Sequence, residues 1–151
     1  MVDMVCEVLG HKPLTGVYWE LDIAAPDIAE QARPGQFVHV RVPGLEAVSL
    51  RRPFSIYGAD GGRLKILYKN VGRGTAAMTQ LLPGDTMQVI GPLGNGFPLD
   101  PEGEALLVAG GYGVAPLFFL AGRLPRTGVA LIGGRAAVDI LVREEFERIG
   151  W

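Results

Sequence analysis

The sequence of 151 residues predicts an antiparallel β-barrel over residues 1–99, followed by an incomplete α/β domain over residues 100–151. As far as Leu99, apolar and polar residues mostly alternate, which is typical of strands with one buried face. The 22 glycines and 11 prolines indicate many turns and short strands. Around Pro101 the pattern changes to continuous apolar runs and helical segments, which indicates a parallel sheet covered by helices.

The barrel prediction depends on five or six short alternating segments at regular spacing. Turn signals such as Pro34-Gly35 and Pro83-Gly84 separate them. One helix interrupts the series, with Thr75 as its N-cap, and it is expected to run over residues 76–82. The alternating segments are residues 2–8, 19–23, 37–42, 64–69 and 87–90.

The second part has a β-α-β-α order. Residues 105–109 (ALLVA) form a continuous apolar run, which predicts a strand covered on both faces. A glycine turn, an apolar helix over 114–124, a strand over 128–132 and an amphipathic helix over 136–149 follow. Two strands leave a sheet with open edges. We therefore expect about half of this domain to be lacking, either because the chain is a fragment or because another chain completes the sheet.

Composition and charge exclude several classes of function. The net charge of −2 argues against general nucleic-acid binding. Apolar runs stay well short of the roughly 20 residues of a membrane-spanning helix, and the N-terminus does not have the pattern of a signal peptide. Cys6 is the single cysteine, so disulfides within the chain are impossible and a cytoplasmic location is expected.

Few isolated residues indicate catalytic chemistry. Cys6 lies on the inward set of its strand and is expected in the core, while His11 and His39 are expected at the surface. Clusters with metal-ligand spacing and Gly-x-Ser-x-Gly elbows are absent from the sequence, so neither a metal site nor hydrolase chemistry is predicted.

Residues 51–55 (RRPFS) are the first candidate binding segment. Pro53 biases Arg52 toward an extended conformation, and a guanidinium group binds phosphate oxygens through two parallel hydrogen bonds. Phe54 offers an apolar plane, and Ser55 offers a hydroxyl and an N–H group. The alternative is an edge strand with solvated arginines and Phe54 in the core.

Residues 68–75 form the second candidate segment, in which a glycine-flanked loop opens a helix. The free N–H groups at such a start can bind phosphate. A plain capped helix after a flexible loop, with Lys69 and Arg73 solvated, is the alternative. Both segments offer anion donors within one small barrel, which favours the binding interpretation.

Residues 110–116 (GGYGVAP) form the third candidate segment, a glycine turn between a strand and a helix. Such a turn lets a dinucleotide approach the backbone closely, although tight packing alone can also require it. Pro116 suits the first turn of the helix. Residues 91–97 (GPLGNGF) are interpreted as a hinge or linker between the two parts.

Four segments in this order resemble the ferredoxin–NADP reductase superfamily and, within it, the electron-transfer subunits of NAD-dependent (class 1B) dihydroorotate dehydrogenases. They are RPFS (52–55), LYKNVGRGT (67–75), PGDTMQVIGPLGNGF (83–97) and VAGGYGVAPL (108–117). The resemblance spans nearly the whole chain. It implies FAD held between a ferredoxin reductase-like barrel and an NAD-binding domain.

The resemblance also implies roles for individual residues. Arg52, beside Pro53, would bind the FAD pyrophosphate, Phe54 would line the flavin and Ser55 would reach its N5 edge. Tyr68 and Lys69, with Leu67 beside them, would contact the ribityl and adenine side, and Gly74 and Thr75 would cradle the phosphates. Gly110, Gly111, Gly113 and Pro116 would form the NAD pyrophosphate turn. Phe54 replaces a tyrosine common in the superfamily, so one hydroxyl contact is lost.

The implied function is electron transfer in pyrimidine biosynthesis. Dihydroorotate would be oxidised on a separate catalytic subunit, and electrons would pass through a [2Fe–2S] cluster to FAD and leave as hydride to NAD, without a catalytic acid or base in this chain. Cys6 alone cannot ligate the cluster. Rival interpretations are a subunit of an NADH-dependent ferredoxin:NADP oxidoreductase or of a sulfide dehydrogenase, and a non-enzymatic barrel that serves only for docking.

Overall fold

A computed structural model describes residues 1–45, 50–100 and 102–151. Pro101, where the sequence pattern changes, lies outside the described residues. The strands and helices are β1 (Val2–Thr15), β2 (Tyr18–Ala24), α1 (Pro26–Gln31), β3 (Phe37–Arg41), β4 (Arg52–Asp60), β5 (Arg63–Lys69), α2 (Arg73–Met78), β6 (Thr86–Leu93), β7 (Leu106–Gly110), α3 (Val114–Ala121), β8 (Val129–Gly133) and α4 (Arg143–Arg148).

Strands β1 to β6 close into a barrel in the order β1-β2-β5-β4-β3-β6, with every neighbouring pair antiparallel. This confirms the predicted barrel. Alternate residues point inward, and side chains such as Leu21, Ile66 and Val89 are fully buried. Cys6 is also fully buried, as expected. Each large apolar side chain buried in this way contributes about 1.5–3 kcal/mol to folding.

Strand β1 is much longer than the short strands expected, because it pairs with two partners. Residues 2–7 pair with β6, and residues 7–15 pair with β2. The register shifts between Val8 and Gly10, as at a β-bulge. Such an irregularity increases the local twist, which lets one strand pass from one neighbour to the other.

The helices depart from the sequence prediction in two places outside the binding segments. Helix α1 was not predicted, although Pro26 stands at its start and Ile28 is fully buried. The expected helix over 136–149 is wrong. Residues 137–139 form a 3₁₀ turn, and α4 starts only at Arg143, because Val142 has a left-handed backbone with φ of +52° that interrupts the helix.

The second part contains a two-stranded parallel sheet of β7 and β8. A 3₁₀ turn over Gly111–Gly113 leads from β7 into α3. Leu107 is buried, but Leu106 and Val108 are 61% and 66% exposed, so the expectation that β7 is covered on both faces is wrong. The buried residues of α3 and α4 pack in one cluster with Leu107, except Phe119, which belongs to the core of the barrel.

The two parts share a hydrophobic cluster. Tyr18, Tyr57 and Leu67 of the barrel belong to the same buried cluster as the residues of α3 and α4. The rings of Tyr57 and Phe118 stack with centroids 5.1 Å apart. The second part is therefore packed directly on the outside of the barrel, beside β4 and β5.

Residues 91–97, expected to be a hinge or linker, begin inside strand β6, and residues 94–97 are exposed. Strand β6 continues to Leu93, and the N–H group of Phe97 donates to the carbonyl of Pro34 at 2.8 Å.

Within the described residues, the helices are all too short or too polar to cross a membrane.

Candidate functional site

A cavity of about 350 Å³ lies where the start of β4 meets the end of β5, and we call it the β4–β5 cavity. Its size falls in the range of small-molecule sites, about 300–1,000 Å³. All the residues predicted from the barrel line it together. They are Arg52, Pro53, Phe54, Ser55, Leu67, Tyr68, Lys69, Gly74 and Thr75, joined by Val71, Gly72, Arg73 and Tyr112.

The guanidinium group of Arg52 lies directly over Gly74. A Cβ atom placed on Gly74 would come within 2.7 Å of Nη2 of Arg52 and closer still to Nε and Cζ. The Nη1 atom of Arg52 also donates to the carbonyl of Leu50 at 3.1 Å. Only glycine at position 74 lets the arginine lie against the start of α2. The two predicted anion-binding elements therefore meet at one wall of the cavity.

The start of α2 differs from the prediction, because Thr75 is the third residue of the helix and not its N-cap. The helix begins at Arg73 and ends at Met78 instead of reaching residue 82. The hydroxyl oxygen of Thr75 reaches back and accepts from the N–H groups of Val71 and Gly72 at 2.9 and 3.1 Å. This side chain fixes the shape of the loop from within the protein, so it supports the cavity wall.

The backbone at this helix start still offers donors to a ligand. The first intrahelical bond runs from the N–H group of Ala76 to the carbonyl of Gly72 at 2.8 Å. An α-helix supplies no acceptor for its first N–H groups. Those of Arg73, Gly74 and Thr75 precede that bond, and Gly74 lies against the Arg52 guanidinium.

Aromatic rings also line the cavity. The ring of Phe54 packs edge-to-face on Tyr68, with centroids 5.9 Å apart. Tyr68 is almost fully buried, and burial raises the pKa of its phenol, so the hydroxyl stays protonated.

His11 fixes the orientation of Tyr68, so the expectation that it is a surface residue is wrong. Its Nδ1 atom lies 3.0 Å from the carbonyl of Leu81, and its Nε2 atom lies 2.9 Å from the hydroxyl of Tyr68. Because a carbonyl can only accept, Nδ1 carries the proton in the neutral ring, and the hydroxyl of Tyr68 donates to Nε2. His11 thereby braces Tyr68 against the segment that follows α2. His39 is half-buried beside the ring of Phe37.

Lys69 connects the cavity to the second part of the chain. Its Nζ atom lies 4.0 Å from Oδ1 of Asp139 and 5.1 Å from the centre of the Tyr18 ring. The hydroxyl of Tyr18 donates to the same carboxylate oxygen at 2.5 Å. This hydrogen bond is the main reason that the pKa of Asp139 is lowered, so the carboxylate is charged at neutral pH.

The glycine turn lies beside the cavity rather than in its wall. Gly110, Gly111, Gly113 and Pro116 do not line it, whereas Tyr112 does and is 56% exposed. Gly111 has φ of +52°, and a Cβ atom there would lie 3.3 Å from the hydroxyl of Tyr18. Pro116 stands in the first turn of α3, as predicted.

Several residues of this region were misjudged or missed in the sequence. Arg51 does not line the cavity, because it pairs with Asp3 at 3.1 Å, so the two adjacent arginines serve different partners. Tyr112 could have been noticed as an aromatic residue enclosed by glycines. Tyr18 and Asp139 carry no local signal, because they are 121 positions apart in the sequence and only the fold brings them together.

Among the residues that the structure describes, groups of three or more His, Cys, Asp or Glu side chains that could hold a metal ion are absent.

Comparison with curated proteins gives a consistent set of relatives. The chain is 44% identical over 140 residues to the dihydroorotate dehydrogenase B (NAD(+)) electron transfer subunit of Bacillus caldolyticus, covering 87% of this chain and 54% of that protein. It is 41% identical over 151 residues to the subunit of the same name from Geobacillus thermodenitrificans (strain NG80-2), covering 95% and 59%. The chain is a homologue of these electron-transfer subunits. It spans little more than half of their length.

Solved structures agree on the fold. The NADH-dependent reduced ferredoxin–NADP oxidoreductase superposes with a TM-score of 0.84 at 29% identity, covering 95% of this chain and 53% of that one. Phthalate dioxygenase reductase superposes with a TM-score of 0.75 at 20% identity, over 99% of this chain and 48% of that one, which concerns the fold alone. This chain therefore has the ferredoxin reductase-like fold. Family models give no match to it.

Proposed function

We propose that this chain binds FAD in the β4–β5 cavity and forms the flavin-binding part of an electron-transfer subunit of NAD-dependent dihydroorotate dehydrogenase. In this proposal, residues 1–99 are the FAD-binding barrel domain and residues 100–151 contribute the first part of an NAD-binding domain. The observation that carries the proposal is the meeting of the Arg52 guanidinium with the start of α2 in one cavity.

The proposed diphosphate position is the wall between Arg52 and α2. Arg52 would donate two parallel hydrogen bonds, and the N–H groups of Arg73, Gly74 and Thr75 would donate further ones. Gly74 supports this position, because the absent Cβ atom is what brings the two sets of donors together.

The proposed flavin position is the wall formed by Phe54 and Tyr68. Tyr68 is almost fully buried, so the half-buried ring of Phe54, which packs edge-to-face against it, is the ring that can offer a face to a planar apolar group. Ser55, in the same wall, supplies a hydroxyl and an N–H group to the edge of the ring system. When bound, FAD would supply the hydride and single-electron chemistry, while these residues bind and orient it and exclude water.

The proposed NAD position is the glycine turn at residues 110–113, with Pro116 in the helix behind it. The turn lies next to the cavity, and Tyr112 belongs to both. A nicotinamide ring held there would therefore lie close to the flavin wall.

A [2Fe–2S] cluster does not fit the residues present. Cys6 is the single cysteine of the sequence and is fully buried in the barrel, whereas such clusters need four ligands. The names of the relatives support the proposal that a catalytic dihydroorotate dehydrogenase subunit passes electrons to this chain. The ligands of an iron–sulfur cluster would have to come from residues other than those of this sequence. The cytoplasmic location stays a prediction.

The relatives support the dihydroorotate dehydrogenase interpretation over the ferredoxin–NADP oxidoreductase interpretation. Curated relatives at 36–47% identity are named as the dihydroorotate dehydrogenase subunit, whereas the NADH-dependent ferredoxin–NADP oxidoreductase is 29% identical. The alternative subunit is therefore not favoured.

The test is a titration of the purified chain with FAD, followed by flavin fluorescence and absorbance. We expect one FAD per chain, and Arg52→Ala should weaken binding about 10-fold or more, because a charge-assisted hydrogen bond contributes about 1.5–3 kcal/mol. Arg51→Ala is the matched control and should bind normally, because Arg51 pairs with Asp3 outside the cavity. A colourless chain that takes up no flavin would support the docking-module interpretation instead.

A further inference from the structure

We propose that Asp139 is a positioning residue for the β4–β5 cavity, which holds the Lys69 ammonium group and releases it to the phosphate of a bound ligand. This inference rests on the proposed function and extends it, because it makes a residue of the second part of the chain responsible for binding in the barrel. The inference is based on the position of Asp139, which lies between Tyr18 and Lys69, two residues of the barrel.

The position of Asp139 is fixed by two hydrogen bonds, one to each carboxylate oxygen. Its Oδ1 atom accepts from the hydroxyl of Tyr18, and its Oδ2 atom accepts from the N–H group of Ala136 at 3.2 Å. The side chain of Asp139 is only 16% exposed. Since its own turn and the barrel both hold it, the carboxylate cannot follow Lys69 if the lysine moves.

Lys69 is held more loosely. Its Nζ atom is 4.0 Å from the carboxylate, which is the outer limit of an ion pair, and its side chain is 34% exposed. The same side chain lines the cavity. A phosphate in the cavity would therefore compete with Asp139 for the ammonium group, whose long stem lets it reach either partner.

The competition links two regions of the protein. When the cavity is empty, the Lys69–Asp139 pair adds to the contact between the barrel and the turn at residues 137–139. When a phosphate takes Lys69, that contact loses the ion pair and keeps the hydrogen bond from Tyr18. The glycine turn lies beside this contact, since a Cβ atom on Gly111 would come within 3.3 Å of the hydroxyl of the same tyrosine.

A purely structural role for Asp139 is the competing explanation, since its carboxylate also caps its own turn. Asp139→Asn tests the charge, and the Lys69 background separates the two roles. The amide oxygen of asparagine can still accept from Tyr18, but its NH2 group cannot accept from the N–H group of Ala136, so the substitution removes the charge and the cap of the turn together. An effect through the cap is the same with and without Lys69, whereas an effect through the charge pair requires Lys69.

The experiment measures FAD affinity in a double-mutant cycle of Asp139→Asn and Lys69→Met, at low ionic strength where charge pairs are screened least. We expect Asp139→Asn to strengthen FAD binding about two- to fivefold, the range for a partly exposed ion pair. In the Lys69→Met background the same substitution should change nothing. Glu144→Gln, on the exposed face of α4, is the charge-matched control and should have no effect.

The outcomes are distinguishable. An equal effect of Asp139→Asn with and without Lys69, or no effect at all, overturns the inference while the FAD site stands. Strengthening only in the presence of Lys69, shrinking as salt is added, supports it. Failure of the unaltered chain to bind FAD overturns the proposed function itself, and the inference with it.

Discussion

Gly74→Ala should abolish tight FAD binding without unfolding the protein. The added Cβ atom would lie 2.7 Å from Nη2 of Arg52 and nearer to Nε and Cζ, whereas ordinary contacts begin at 3.4 Å. Since the clashing atoms belong to the end of a flexible side chain, we expect the guanidinium to move away and the backbone to stay. Arg52 would then leave the phosphate wall.

The expected loss follows from the bonds that the arginine would make. A hydrogen bond to a charged group contributes about 1.5–3 kcal/mol, so the dissociation constant for FAD should rise about 10- to 150-fold. The free energy of unfolding should change by no more than about 1 kcal/mol, because alanine is the better helix former.

Gly72→Ala is the matched control for this prediction. Gly72 lines the same cavity and has an extended backbone, and a Cβ atom there meets nothing within 4 Å. FAD titrations followed by flavin fluorescence, with urea unfolding alongside, measure both quantities. If Gly74→Ala binds FAD as tightly as Gly72→Ala, the guanidinium does not act where we place it, and the reasoning is refuted.

Three further predictions concern stability. Thr75→Val should lower the free energy of unfolding by about 2 kcal/mol or more, because two backbone N–H groups lose their acceptor. The control Thr79→Val removes an exposed hydroxyl and should lower it by less than about 0.5 kcal/mol. Equal losses for the two variants in urea unfolding would contradict this. His11→Ala should lower the free energy of unfolding by about 2 kcal/mol, because two hydrogen bonds are lost. His39→Ala should lower it by about 1 kcal/mol. A larger loss for His39→Ala would show that the contact of His11 with Tyr68 and Leu81 is unimportant for stability. Burial raises the pKa of the Cys6 thiol to about 11, so its contribution to stability is complete below about pH 9 and is lost as the pH rises toward 11. The free energy of unfolding of Cys6→Ala should therefore lack this part of the decline at alkaline pH. Identical pH profiles for the two proteins would refute the prediction.

The barrel was predictable because local pattern and final structure agree along its strands. Alternation with period two assigns one face of each strand to the interior, and Val38 and Val40 are buried as that pattern requires. The cavity was predictable for a related reason. Arg52 and the loop before α2 each carry their signal within a few residues, and the closed barrel brings the two segments together.

The misjudged residues are those whose role depends on distant parts of the chain. Thr75 has the sequence signature of an N-cap, but its hydroxyl bonds backward to the loop, and the helix begins at Arg73, three residues earlier than predicted. His11 has no telling neighbour in sequence, and its partners Tyr68 and Leu81 are 57 and 70 positions away. The helix predicted over 136–149 failed because Asp139 is held by Tyr18 in a separate turn.

The most direct test of the FAD site is a crystal structure of the chain grown with FAD. The diphosphate should lie within hydrogen-bond distance of both the Arg52 guanidinium and the N–H groups that begin α2. A diphosphate bound elsewhere, or one that contacts only one of these two elements, would contradict the proposal.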